Sequence, residues 1–188
     1  MRVKIVLPLL VLSVAVLLTG CASHRPVSDP NAPEPPVSEI PDYPDTGENF
    51  DVSARVAVYP TLWIAGPIEE GLRNAGYAIA DVSTEMGNAK VELPDFIIEP
   101  LSFKHSAEPR RAGTWLFTRI TLQVRKPARV ADEGTVLVPA PRPRVFQVFA
   151  KRDIGQVVYI GEAQYRENVA AAVDNLMRIP EFRRALEK

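Results

Sequence analysis

The segment TWLFTRITLQVRK, residues 114–126, decides the fold. Leu116, Ile120, Leu122 and Val124 recur near period two, with Arg119, Thr121 and Gln123 among the residues between them. Side chains on a strand alternate between its faces, so this segment is apolar on one side and more polar on the other. RVFQVFAKR, residues 144–152, alternates in the same way and reads as its antiparallel partner. Such a pair needs a cover on its apolar face. The flanking sequence supplies one on each side.

Upstream, VSARVAVY (residues 52–59) reads as a strand stopped by Pro60. Ile64, Ile68, Leu72 and Ala75 then share one helical face. Pro67 suits a first turn beginning near Gly66, and Gly76 suits a C-terminal stop. YAIADV (77–82) is a second strand and residues 83–91 a loop. DFIIEPLSF (95–103) is a third strand, which Pro100 assigns to an edge or a bulge. HSAEPRRAG (105–113) reads as a polar connection. Downstream, DIGQ (153–156) is a turn, and residues 157–160 are a further strand candidate. Tyr165, Val169, Ala172, Val173 and Leu176 form one helical face. Pro180 ends that run, and Phe182 with Leu186 marks a last short helix. The predicted order is β-α-β-β-β-β-α-α. That is an α+β domain: an antiparallel or mixed sheet of four to five strands, with two main helices on one face. Trp115 is expected in its core, and Trp63 as an exposed contact.

The first residues have a different character. Arg2 and Lys4 precede an uncharged run, IVLPLLVLSVAVLL, of 14 residues. As a helix it would extend about 21 Å, short of a bilayer core about 30 Å thick. This is the layout of a signal peptide rather than of a membrane span. Leu18, Thr19, Gly20 and Cys21 follow directly and resemble the lipobox of bacterial lipoproteins. The resemblance implies cleavage after residue 20, lipidation of Cys21 with acyl chains of the palmitate class, and no other cofactor. Ala22 follows the cysteine where that pattern has Asp for inner-membrane retention. The resemblance therefore implies the periplasmic face of the outer membrane. Several acyl chains on one residue hold a protein to a membrane almost irreversibly, at about 0.8 kcal/mol per buried CH₂.

Residues 21–50 are read as a tether between the signal peptide (1–20) and one domain (51–188). Seven prolines fall between residues 22 and 50, and large apolar side chains are nearly absent there. Such a segment buries too little surface to offset the entropy of ordering it. It is read as a semi-rigid spacer.

Composition excludes several function classes. The 188 residues carry 22 Lys and Arg against 23 Asp and Glu. Loss of Arg2 and Lys4 with the leader leaves 20 basic side chains, a formal −3. No global attraction to nucleic acid follows from that balance. One cysteine excludes a disulfide framework and a cysteine-rich zinc site. Only His24 and His105 offer imidazole: the first lies in the tether, and the second reads as a surface histidine in a polar loop. No metal-ligand spacing, G-x-S-x-G elbow or phosphate loop is present. Asp81, Glu85, Glu92, Asp95 and Glu99 are scattered acids, read as solvated. An envelope hydrolase would need two or more of Asp81, Glu92, Asp95 and Glu99 in one cleft with raised carboxyl pKa values.

Two surfaces are candidates for recognition. KPARVADEGTVLVPAPRPR (126–144) is long for a hairpin connection and is stiffened by Pro127, Pro139, Pro141 and Pro143. It carries an apolar island, Val136, Leu137 and Val138, suited to docking a partner, or else to forming a short edge strand. Lys104, Arg110 and Arg111 form a small basic group suited to an anionic headgroup. Most of the stretch from Asp51 to Lys188 also resembles the small α+β domains of bacterial envelope lipoproteins. These include the lipopolysaccharide-assembly lipoprotein and auxiliary lipoproteins of lipid-transport ABC systems. IEEGLRNAGYAI, PDFIIEPLSF and VAAAVDNLMRIPEFRRAL carry this resemblance. It implies an accessory part in an envelope assembly or transport complex, and the missing catalytic constellation and the long loop lead us to expect a non-enzymatic interaction subunit there. The alternative is a lipid or glycolipid carrier with an apolar groove.

Overall fold

The computed structural model describes residues 40–80, 93–127, 129–130, 137–138, 141–157 and 159–188. The lipobox with Cys21, the tether up to residue 39, Asp81, Glu85, Glu92 and Val136 lie outside the described residues.

The fold is α+β, as expected, and the described residues form three helices and a five-stranded mixed sheet. In chain order the elements are β1 (Arg55–Val58), α1 (Ala65–Asn74), β2 (Ala78–Ile79), β3 (Phe96–Arg110) and β4 (Gly113–Arg125). They are followed by β5 (Arg129–Val130), β6 (Leu137–Val138), β7 (Arg144–Asp153), α2 (Glu162–Met177) and α3 (Pro180–Ala185). The sheet order is β2-β1-β3-β4-β7. β1 runs parallel to both β2 and β3, while β3, β4 and β7 form an antiparallel meander.

Residues of the deciding segment enter the core as its periodicity predicts. Ile120, Leu122 and Val124 face the helices, beside Phe146 and Val148 of β7 and Val56 and Ile98 of β1 and β3. Ile68 and Leu72 of α1, Val169, Val173 and Leu176 of α2, and Phe182 and Leu186 at α3 close over them. Phe182 is fully buried and meets Phe146 edge-on, with centroids 5.4 Å apart. Truncating such a side chain to alanine costs about 3–5 kcal/mol. α1 ends where Gly76 takes φ +94°, a left-handed conformation that a side chain disfavours.

Four expectations are corrected. First, residues 105–110 are not a loop. β3 continues through them to Arg110 and turns into β4 through Arg111 and Ala112. His105 is partly buried, and residues 106–110 are exposed; the ladder with β4, rather than apolar burial, holds these in strand. Second, Trp115 is not in the core. It lies at the start of β4, opposite Glu108 and Asp153, and is only partly buried. Third, residues 157, 159 and 160 form no strand, and Tyr159 is exposed. Fourth, the packed chain begins before residue 51. Tyr43 is 7% exposed and belongs to the core cluster, and Arg183 lies over the rings of both Phe50 and Tyr77. Phe50 and Tyr43 supply the aromatic surface that the proline count of this segment concealed.

Pro100 occupies the bulge expected of it. The β3–β4 register shifts between Pro100 and Ser102, which leaves Leu101 as the extra residue. β1 pairs with β3 only as far as Ile98, so Pro100 lacks an N–H where no neighbouring strand would receive it.

Candidate functional site

The bulge has a consequence for side-chain direction. Before it, Phe96 and Ile98 face the helices. After it the parity changes, and Phe103 and His105 face them instead. Trp63, in the turn between β1 and α1, packs edge-on against Phe103 with centroids 5.0 Å apart. Phe103 meets His105 edge-on at 4.2 Å, and His105 meets Tyr165 of α2 at 4.6 Å. Trp63 remains 55% exposed. Together with Glu162 and Arg166 these rings line an open pocket of about 440 Å³. The start of α2 is fixed because the Gly161 N–H donates to Oε1 of Gln164 at 2.9 Å, which sets Glu162, Tyr165 and Arg166 on the pocket side. Glu162 and Arg166 form an ion pair one turn apart at 2.6 Å.

A buried polar chain holds the histidine ring. His105 Nδ1 lies 2.8 Å from Oγ1 of Thr118, its cross-strand neighbour. Nδ2 of Asn168 donates to the same Oγ1 at 2.7 Å and approaches the Leu116 carbonyl at 3.4 Å. Asn168 and Thr118 are almost wholly buried. Burial pulls the His105 pKa below the usual imidazole value, against a smaller opposing effect of a hydrogen bond with the Phe117 backbone. The ring is therefore mainly neutral near pH 7. Its Nε2 is buried without a hydrogen-bond partner among the described residues, as is Oδ1 of Asn168. Histidine, a hydroxyl and an amide in series resemble a catalytic relay in composition, but the geometry is wrong for one. The hydroxyl of Thr118 sits beneath the imidazole with 1% of the residue exposed, so no substrate reaches it. The arrangement suits recognition: aromatic faces and a charged rim.

The other expected site residues are dispersed. Lys104 and His105 are adjacent on β3 and therefore on opposite faces of the sheet. Arg110 lies six residues beyond Lys104, about 20 Å along the strand, and its guanidinium pairs with Glu108. Arg111 is exposed in the turn. These three cations do not converge. Leu137 and Val138 form β6, paired with β5 in a two-stranded ribbon. Asp95 accepts the Arg55 N–H and pairs with Lys188, while Glu99 accepts from Gln123. Among the described residues, no three His, Cys, Asp or Glu side chains cluster as a metal site would require. No described helix is long and apolar enough to cross a membrane.

Of the predicted contacts, Trp63 falls in the pocket. Phe103, His105 and Tyr165 were not identified from sequence, because three separate stretches contribute the four rings and the bulge reverses the parity of two. No family model and no curated protein matches the chain.

Proposed function

We propose that the chain is a lipid-anchored envelope lipoprotein whose folded domain is a non-enzymatic interaction module. The lipobox supplies the anchor at Cys21, at the periplasmic face of the outer membrane. The residues after it supply reach. The observation that carries the reading is the exposed Trp63, seated on Phe103 beside His105 and Tyr165. A large aromatic side chain left half in water, yet held in one place by edge contacts, has the character of an interface anchor. Rigid aromatic contacts lose little entropy on binding, and the Glu162–Arg166 pair gives the pocket a polar rim. The partner is accordingly an envelope protein that inserts an apolar or aromatic side chain between Trp63 and Tyr165.

A lipid-carrier role receives less support. The space between sheet and helices is filled by side chains that are fully buried, including Ile64, Ile68, Leu72, Ile98, Ile120, Leu122 and Leu176. The test is crosslinking and affinity capture of the full chain from its own membranes. One partner should be captured with the native chain and lost with Trp63→Glu, while the unfolding temperature changes little. Equal capture by Trp63→Glu, or no partner at all, would refute the reading. The anchor has a separate check: Cys21→Ser should accumulate as a precursor that incorporates no fatty acid.

A further inference from the structure

A second pocket, of about 250 Å³, lies far along β3 and β4 from the aromatic one. It forms where the end of β4, the start of β7 and the end of α3 meet. Arg125, Lys126, Arg142, Arg144 and Arg184 line it, with Glu187 as the one carboxylate among the described lining residues. Five of the chain's 22 cationic side chains thus surround one cavity in a protein of formal net charge −1. Three of the five are partly engaged. Arg184 pairs with Glu48 at 2.7 Å, Arg125 lies 3.8 Å from Glu99, and Lys126 sits over the Phe96 ring. Arg142 and Arg144 are exposed and have no hydrogen bond or ion pair among the described residues. Like charges held together repel, and that repulsion is relieved when an anion enters.

We propose that this pocket binds a phosphate-class anion, a phosphate monoester or diester. Planar guanidinium groups match phosphate oxygens two at a time, and several approaching from different elements can surround a tetrahedral anion. The pocket is the size of a headgroup rather than of a protein surface. The site differs from the Lys104, Arg110 and Arg111 group expected from sequence, because Arg142 and Arg144 are brought to Arg184 only by the meeting of β7 with α3.

The experiment titrates the full chain, in zwitterionic detergent at low salt, with inorganic pyrophosphate by calorimetry. Saturable binding is expected, weakening as salt is added. Arg142→Glu with Arg144→Glu should weaken it about tenfold or more, with the unfolding temperature little changed. Arg142→Gln, the milder variant, should weaken it in the same direction. Glu187→Gln should tighten it. Arg110→Glu with Arg111→Glu, at the hairpin turn, should leave it unchanged. Phosphatidylglycerol doped into the micelles separates the two sources of the anion. Displacement of pyrophosphate assigns the site to a lipid headgroup, and no displacement assigns it to a soluble phosphate ester. Absence of saturable binding, indifference to the Arg142 and Arg144 changes, or preference for succinate over pyrophosphate would overturn the proposal, the last in favour of an acidic peptide.

Discussion

Oη of Tyr43 accepts the backbone N–H of Phe149 at 3.1 Å, across 106 positions of sequence. Phe149 lies on β7, an edge strand of the sheet, and its carbonyl accepts from Nδ2 of Asn175 at 2.8 Å. Two side chains thus occupy both outward-pointing groups of one edge residue. An unpaired edge is a template for association with another chain, and this one is covered locally by the protein itself.

Tyr43→Phe should therefore cost about 1 kcal/mol, the net value of one hydrogen bond, with the ring contacts retained. Burial pushes the Tyr43 pKa up to about 12, against a smaller lowering by the Phe149 hydrogen bond. As pH rises above about 10, the unfolded chain releases this proton first. The stability from Tyr43 is complete below that point and is lost as pH climbs to about 12, by roughly 2–3 kcal/mol. Tyr77 is shifted in the same direction by burial, opposed by Arg183. Denaturant melts across this window should show alkaline destabilisation that Tyr43→Phe reduces and does not abolish. An identical pH slope in the variant would contradict the assignment to Tyr43.

His105 predicts the opposite limb of the pH profile. Its pKa is depressed by burial in the folded state, so the unfolded chain takes up the proton first as pH falls. The stability it contributes is present above the ordinary histidine value and is lost below it. Melting temperatures should fall between about pH 7.5 and about pH 5, and His105→Phe should flatten that part of the curve. The other histidine, His24, is present in both the native chain and the variant, so the difference between their curves reads His105 alone. A slope unchanged by His105→Phe would mean that carboxylates alone set the acid limb.

Asn168 ties α2 to the middle of the sheet through Thr118 and the Leu116 carbonyl. Asn168→Ala leaves those groups buried without their donor and should cost about 1–3 kcal/mol. Thr118→Val should cost less in the Asn168→Ala background than in the native chain, because the shared hydrogen bond is already gone. Unfolding by urea of the two single variants and the double variant measures that coupling. Strict additivity would show that the Asn168–Thr118 bond contributes nothing net.

The legibility of this chain followed the source of each element's stability. α1 and α2 were readable because burial drives them, and Ile68, Leu72, Val169, Val173 and Leu176 repeat with the helical period. The centre of β4 was readable for the same reason. The outer half of the β3–β4 hairpin was not, since exposed Ser106, Glu108 and Arg110 carry no periodic apolar signal. Backbone pairing alone makes them a strand. The aromatic pocket was hidden by one residue: Leu101 at the bulge moves Phe103 and His105 to the helix side, and no local composition announces that shift. Pro100 hinted at irregularity without giving its direction.

Gly71 offers a test of packing against propensity. It lies in the middle of α1, where alanine is favoured over glycine by about 1 kcal/mol. A Cβ at this position, however, would overlap Cγ1 of Val173 on α2. The glycine therefore permits close approach of the two helices. Overpacking costs about 1–3 kcal/mol, so Gly71→Ala should be neutral at best and more often destabilising in the native chain. Val173→Ala removes the obstructing methyl groups and by itself opens a small cavity in the core. In that background the balance reverses: the new Cβ partly fills the cavity, and the helix propensity is recovered. Gly71→Ala should then stabilise. Chemical denaturation of the four species in the cycle reads both signs. If Gly71→Ala stabilises the native chain as much as the Val173→Ala chain, the helices are not held apart by this contact, and Gly71 is present for another reason.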